Sequence, residues 1–150
     1  MKIVLVTGGF DPLHSGHIEY FKSAKKLGDE LWVGLNSDDW LVKKKGKAFM
    51  PMNERFTIIK HLEMVDNVFS FDDDDGTANY AIQSALALTE EEDTIIFANG
   101  GDRTSKNIPE QKLYKEHRNV QFKFGVGGTN KMNSSSWILK KSNRLSVNNC

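Results

Sequence analysis

The chain has 150 residues, the length of one ordinary domain, with 20 basic and 20 acidic residues and no formal net charge. That balance argues against nucleic acid as the main partner, since phosphate-backbone binders carry a basic excess or a basic stripe. One cysteine, Cys150, rules out an intrachain disulfide and fits a reducing compartment, and the apolar run Ile3–Val6 is far too short for a signal-peptide core or a membrane span. The expectation is a soluble, unprocessed cytoplasmic protein with no membrane partner.

Five short apolar runs bounded by turn residues read as strands buried on both faces: Lys2–Thr7, Glu30–Leu35, Asn67–Phe71, Thr94–Ala98 and Val120–Phe124. Helical periodicity falls between them. Gly16–Leu27 puts Ile18, Phe21, Ala24 and Leu27 on one face, Asn53–Val65 aligns Phe56, Ile59, Leu62 and Val65, and Thr77–Leu88 carries a broad apolar stripe. Pro109–His117 reads as a shorter helix with proline in its first turn, and Ser134–Lys141 as a last helix started by serines, ahead of a polar tail over 142–150. Strands alternating with helices predict an α/β, Rossmann-like, doubly wound five-stranded parallel sheet with helices on both faces, in one domain over residues 1–141. Ligands of such folds bind outside the carboxyl ends of the strands, so function is expected in the loops that follow them.

The loop after the first strand reads Thr7-Gly8-Gly9-Phe10-Asp11-Pro12-Leu13-His14-Ser15-Gly16-His17. Glycines allow close backbone approach to a ligand, and the helix that follows offers unpaired N–H groups and partial positive charge to a phosphate. His14 and His17 are three residues apart at the helix start, where both imidazoles can face one ligand. Neither a dinucleotide fingerprint nor a P-loop is present.

The stretch Gly9-Phe10-Asp11-Pro12-Leu13-His14-Ser15-Gly16-His17 resembles the G-x-F-D-x-x-H-x-G-H signature of the cytidylyltransferase-like nucleotidyltransferases. The resemblance continues through Lys26–Leu31, Asn36-Ser37-Asp38, Glu54-Arg55, Gly100-Gly101-Asp102 and Ser134-Ser135-Ser136. It implies transfer of a nucleoside monophosphate from CTP or ATP to a phosphorylated polyol or sugar, releasing pyrophosphate without a covalent enzyme intermediate. The protein's part is then positioning and charge stabilisation. By resemblance His14 and His17 stabilise the α-phosphoryl group, and Lys44 and Lys47 neutralise the acceptor phosphate or the departing pyrophosphate. The nucleotide is expected to meet Gly8, Gly9, Phe10, Asp11, Arg55, Gly100, Gly101, Asp102, Ser134, Ser135 and Ser136. Asp11 has two candidate roles, holding the loop or assisting Mg2+, which phosphoryl-transfer chemistry brings with the triphosphate. Members of the family are often homodimers. An arginine that often precedes the serine triplet is missing, and Lys131 stands in that stretch.

Two branches of the family compete. Asn36-Ser37-Asp38, Lys45-Gly46 and Gly100-Gly101-Asp102 lean toward AMP transfer to heptose 1-phosphate, whereas the compact domain and the Lys44/Lys47 spacing favour CMP transfer to glycerol 3-phosphate. The second carries the reading. A class I aminoacyl-tRNA synthetase relative would need further domains, and a non-catalytic nucleotide-binding module would not need both histidines, the lysine loop and the serine triplet together. The acidic run Asp72–Asp75 reads as a solvated loop, and His61, His117, Trp32, Trp40 and Trp137 as surface or packing residues.

Overall fold

A computed structural model describes residues 1–100, 109–114 and 117–127. The strands β1 (Lys2–Gly8), β2 (Glu30–Leu35), β3 (Asn67–Ser70), β4 (Thr94–Gly100) and β5 (Val120–Val126) form one parallel sheet in the order β3-β2-β1-β4-β5. The order reverses between β1 and β4, so the carboxyl ends of these two strands flank the crevice where an α/β sheet binds its ligand. The α/β doubly wound expectation holds.

Period-two alternation sends successive strand residues to opposite faces, and both faces are covered. Ile3, Leu5, Trp32, Ile95 and Phe97 pack under α4 (Asn79–Ala87) through Ala81, Ile82 and Ala85. Val4, Val6, Leu31, Val33, Ile96 and Ala98 face the other way, onto Phe21 and Ala24 of α1 (Ser15–Lys25) and Ile59 of α3 (Met52–Lys60). The short α5 (Pro109–Tyr114) precedes β5.

The differences from the expected boundaries have local causes. β4 and β5 run two residues further because they pair past an irregularity between Ala98 and Gly100, ending at Gly100 opposite Val126. α3 ends at Lys60 and the chain goes on in tight turns, with the Leu62 and Val65 amides bonded to the Ile59 and Leu62 carbonyls. The lysine run, read as a loop, is the end of a helix, α2 (Asp38–Lys45). Ser37 caps it by accepting the Trp40 amide at 3.0 Å, Asp38 and Asp39 fill its first turn, Lys43, Lys44 and Lys45 its last, and Gly46 closes it at φ 90°. Each of these choices suits the helix dipole or the left-handed cap. The helix expected over Ser134–Lys141 and the tail lie outside the described residues.

Leu5 is fully buried at the centre of β1. Leu5→Ala is expected to lower stability by roughly 2–5 kcal/mol in urea unfolding, the range for a leucine deleted from a packed core.

Candidate active site

The β1 exit turns sharply. Phe10 adopts φ 52°, a left-handed conformation that a non-glycine residue rarely takes, and a cis peptide bond joins Asp11 to Pro12. The Phe10 ring is buried and meets the edges of His17 and Phe21, each at 5.0 Å between ring centroids. That packing offsets a backbone conformation costing of order 1–3 kcal/mol. A Cβ on Gly9 would lie 2.6 Å from Leu41 Cδ2, so any larger residue there would force the buried Leu41 side chain to shift.

His14 is the N-cap of α1 and His17 sits in its first turn. The Gly16 amide donates to His14 Nδ1 at 3.1 Å, and the His14 amide donates to His17 Nδ1 at 3.2 Å. An amide can only donate, so both Nδ1 atoms are acceptors and each neutral ring carries its proton on Nε2. The rings stack at 3.7 Å between centroids, tilted by 24°. Burial first, then the neighbouring His14 and Lys45 charges, push the His17 pKa down to about 3. His17 therefore offers an imidazole N–H donor without imidazolium charge at neutral pH.

Arg55 is wholly buried and donates four hydrogen bonds inside the protein. Its Nη1 reaches the Gly9 carbonyl at 3.0 Å and the Asn36 carbonyl at 2.8 Å, its Nε the Met50 carbonyl at 3.0 Å, and its Nη2 the Asp38 carboxylate at 2.6 Å. This corrects the expectation of a direct nucleotide contact: the guanidinium is enclosed and ties the β1 exit, the β2 exit and the start of α2 together. Asp11 is also a holding residue. It is buried, and its carboxylate accepts the Phe49 and Met50 amides, both at 2.6 Å. Of its two suggested roles, the structure shows the loop contact.

The Lys45 ammonium reaches the histidine loop, donating to the Asp11 carbonyl at 2.9 Å. Burial first, then the Arg55 charge, lowers its pKa against an opposing pull from Asp11. Lys44 lies over the Trp40 ring at 4.5 Å, and Lys47 stands exposed beyond the Gly46 cap. The helix turns by 3.6 residues, so the buried Leu41 and Lys45, four apart, share the face that presses on Gly9. Reading 38–45 as helical would have singled out Lys45.

Three further residues were missed in the sequence. Asp73, assigned to a solvated run, is buried and accepts the Ser37 hydroxyl at 2.7 Å, the Ser37 amide at 2.8 Å and the Asn36 side chain at 3.0 Å. Burial works to raise its pKa, and these bonds outweigh it and hold the carboxyl below its usual range. Asn36 is itself buried. Tyr20 donates to the Ala98 carbonyl at 2.7 Å, and its ring lies so close to Gly100 that a Cβ there would meet it at 3.0 Å. Gly8 pairs with Leu35 across the β1–β2 register, and Gly100 ends β4. Gly101, Asp102, Ser134, Ser135 and Ser136 lie outside the described residues, as do Lys131 and Trp137.

Among the described residues no group of three or more histidine, cysteine or acidic side chains is arranged to hold a metal ion, and no helix is long and apolar enough to cross a membrane.

A turn-strained glycine loop, a histidine pair on a helix start and a clamped second-strand exit thus meet at the switch point of a parallel sheet. The chain belongs to the cytidylyltransferase-like family, whose model matches residues 5–144, and it is a nucleotidyltransferase of that family. It is similar to the bifunctional protein HldE of Wolinella succinogenes, 36% identical over 143 residues, and to that of Campylobacter fetus, 35% identical over 133 residues. These matches take in 93% and 87% of this chain, which spans about a quarter of those relatives, 27% of each. Among solved structures it is similar to a lipopolysaccharide core biosynthesis protein from Thermoplasma volcanium, at TM-score 0.62 and 28% identity, covering 89% of this chain and 99% of that one. A Vibrio parahaemolyticus chain with TM-score 0.62 and 14% identity shares the fold.

Two outcomes test the site. Arg55→Lys is expected to lower stability by at least about 2 kcal/mol in urea unfolding, since an ammonium cannot serve four acceptors in a planar fork and stranded carbonyls cost about 1–3 kcal/mol each. His17 sets a pH dependence. The unfolded chain protonates it near 6.5 and the folded protein only near 3, so the unfolded state binds more protons between these values. Its contribution is complete above pH 6.5 and is lost as pH falls toward 3, with a slope of at most about 1.4 kcal/mol per pH unit. His17→Gln should flatten the stability profile just below pH 6.5, and an unchanged slope there would contradict a neutral His17.

Proposed function

We propose that this chain transfers AMP from ATP to a sugar 1-phosphate of the heptose class, releasing pyrophosphate. The observation that carries the reaction type is the pair of imidazoles locked as Nε2–H donors at the start of α1. Neutral donors fit a triphosphate whose charge shifts between oxygens during transfer, because hydrogen bonds strengthen where charge develops and no proton has to move. The acceptor's phosphate oxygen attacks the α-phosphorus, and pyrophosphate departs with the electron pair of the broken bond. Lys45 stands close enough to the loop to add positive charge on that side. Gly8, Gly9, Phe10 and Gly100 fit the nucleotide's path in this reading, with Gly101, Asp102 and the serine triplet expected to complete it. Arg55 and Asp11 hold the loop's shape.

The choice of ATP rests on similarity to the bifunctional HldE proteins together with the Asn36-Ser37-Asp38, Lys45-Gly46 and Gly100-Gly101-Asp102 motifs, which lean to the heptose branch. The CTP reading leaned on the compact domain and the Lys44/Lys47 spacing, whereas Lys45, of the Lys45-Gly46 pair that leans to the heptose branch, donates to the Asp11 carbonyl. Mg2+ fits the reading as a partner of the triphosphate oxygens, since both oxygens of the Asp11 carboxylate already accept amides. A homodimer in the cytoplasm remains part of the proposal on family grounds.

Pyrophosphate release with Mg2+ should require both ATP and heptose 1-phosphate, and His14→Ala or His17→Ala should lower kcat by about 100-fold or more, the scale for loss of a transition-state donor. Turnover with CTP and glycerol 3-phosphate alone would overturn the choice of base and acceptor. Nucleotide binding without turnover on any acceptor would favour the regulatory module.

A further inference from the structure

α4 contacts β1 and β4, the two strands of the switch point, from the face opposite α1. A helix that follows a strand in a parallel sheet starts at the strands' carboxyl ends, so the α4 N-terminus borders the same crevice as the histidine pair. Two buried oxygens there have no hydrogen-bond partner among the described residues, Glu110 Oε2 and Asn79 Oδ1. Glu110 is 2% exposed, and its other oxygen, Oε1, accepts the amide of Ala78, the N-cap of α4, at 2.7 Å. Asn79 is the next residue, and the Tyr114 hydroxyl, donating to its carbonyl at 3.2 Å, holds α5 against it. Glu110 is thus oriented by one oxygen and leaves the other unused.

A buried unpaired acceptor costs about 1–3 kcal/mol, and two of them stand beside one helix start. Both are acceptors, so anions do not answer them. Their shared complement is a group that donates. Phosphates and triphosphates present acceptors only, whereas the hydroxyls of a sugar donate.

We propose that Glu110 Oε2 and Asn79 Oδ1 form the subsite that reads sugar hydroxyls of the acceptor, across the crevice from the histidines. The inference rests on the sugar-phosphate reading above. Both oxygens are closed off from solvent, so the ligand parts the α4–α5 seam by the width of a hydroxyl and in doing so satisfies atoms that the empty protein leaves unpaired. This selects against acceptors without hydroxyls at these positions, since they would leave the oxygens unpaired.

Equilibrium binding of heptose 1-phosphate, measured calorimetrically on wild type, Asn79→Ala and Glu110→Gln, tests this, with thermal melts of the unliganded proteins alongside. Asn79→Ala deletes an unpaired acceptor, and Glu110→Gln keeps an oxygen for the Ala78 amide while turning the unused acceptor into a donor. The expectation is a melting temperature equal to or above wild type together with at least tenfold weaker heptose 1-phosphate binding and unchanged ATP affinity. A merely structural pair would move the melting temperature and leave the sugar affinity alone. Wild-type affinity in both variants would overturn this inference and leave the sugar-phosphate reading standing. Absence of heptose 1-phosphate binding by wild type would overturn both.

Discussion

The site depends on one buried cation. The Arg55 guanidinium gathers the Gly9 and Asn36 carbonyls, which end two adjacent strands, and the Met50 carbonyl and Asp38 carboxylate, which fix the loop and helix beyond them. Parallel strands diverge at their carboxyl ends, where ladder hydrogen bonding stops and backbone carbonyls would face the interior without partners. A planar fork with several donors can close such an end in one stroke, and a buried guanidinium is tolerable only because its bonds are so many. Asp11 complements it with a carboxylate that gathers amides from 49 and 50. The two residues act as opposite halves of one fastening between the β1 loop and the segment after α2.

Within that frame the histidines are set by the backbone. The amides of Gly16 and His14 fix the orientation and tautomer of both rings before any ligand arrives. Preorganisation of this kind removes reorganisation from the reaction step, which is where fixed donors gain over water. The Phe10 ring, held by a strained backbone, closes one side of His17 and keeps it from charging. Strain, burial and tautomer are therefore parts of a single arrangement.

Much of this was readable from the sequence. The parallel sheet follows from apolar runs that are buried on both faces, and the loop from glycines and histidines at a strand-to-helix junction. What was not readable was long-range pairing. By resemblance Arg55 is expected to meet the nucleotide, yet the Gly9 and Asn36 carbonyls it serves are 46 and 19 residues away in sequence. Asp73 sat within a run of four acids, and only the fold shows that one of them turns inward onto Ser37 while its neighbours Asp72 and Asp74 are exposed. The α2 helix is legible in Ser37-Asp38-Asp39, a capping serine followed by two first-turn acids, whereas Lys44 and Lys47 are singled out by the family resemblance alone.

The capping of α1 by imidazoles has a consequence for stray metals. A transition-metal ion binds the lone pair of an imidazole nitrogen, and on these rings the Nδ1 lone pairs are held by backbone amides. Coordination at Nε2 would move the proton to Nδ1, set two N–H groups against each other and undo the first turn of the helix. Chelation by the pair therefore competes with the helix start itself, so two stacked histidines that look from their spacing like a ready chelate are protected from one by the hydrogen bonds that orient them.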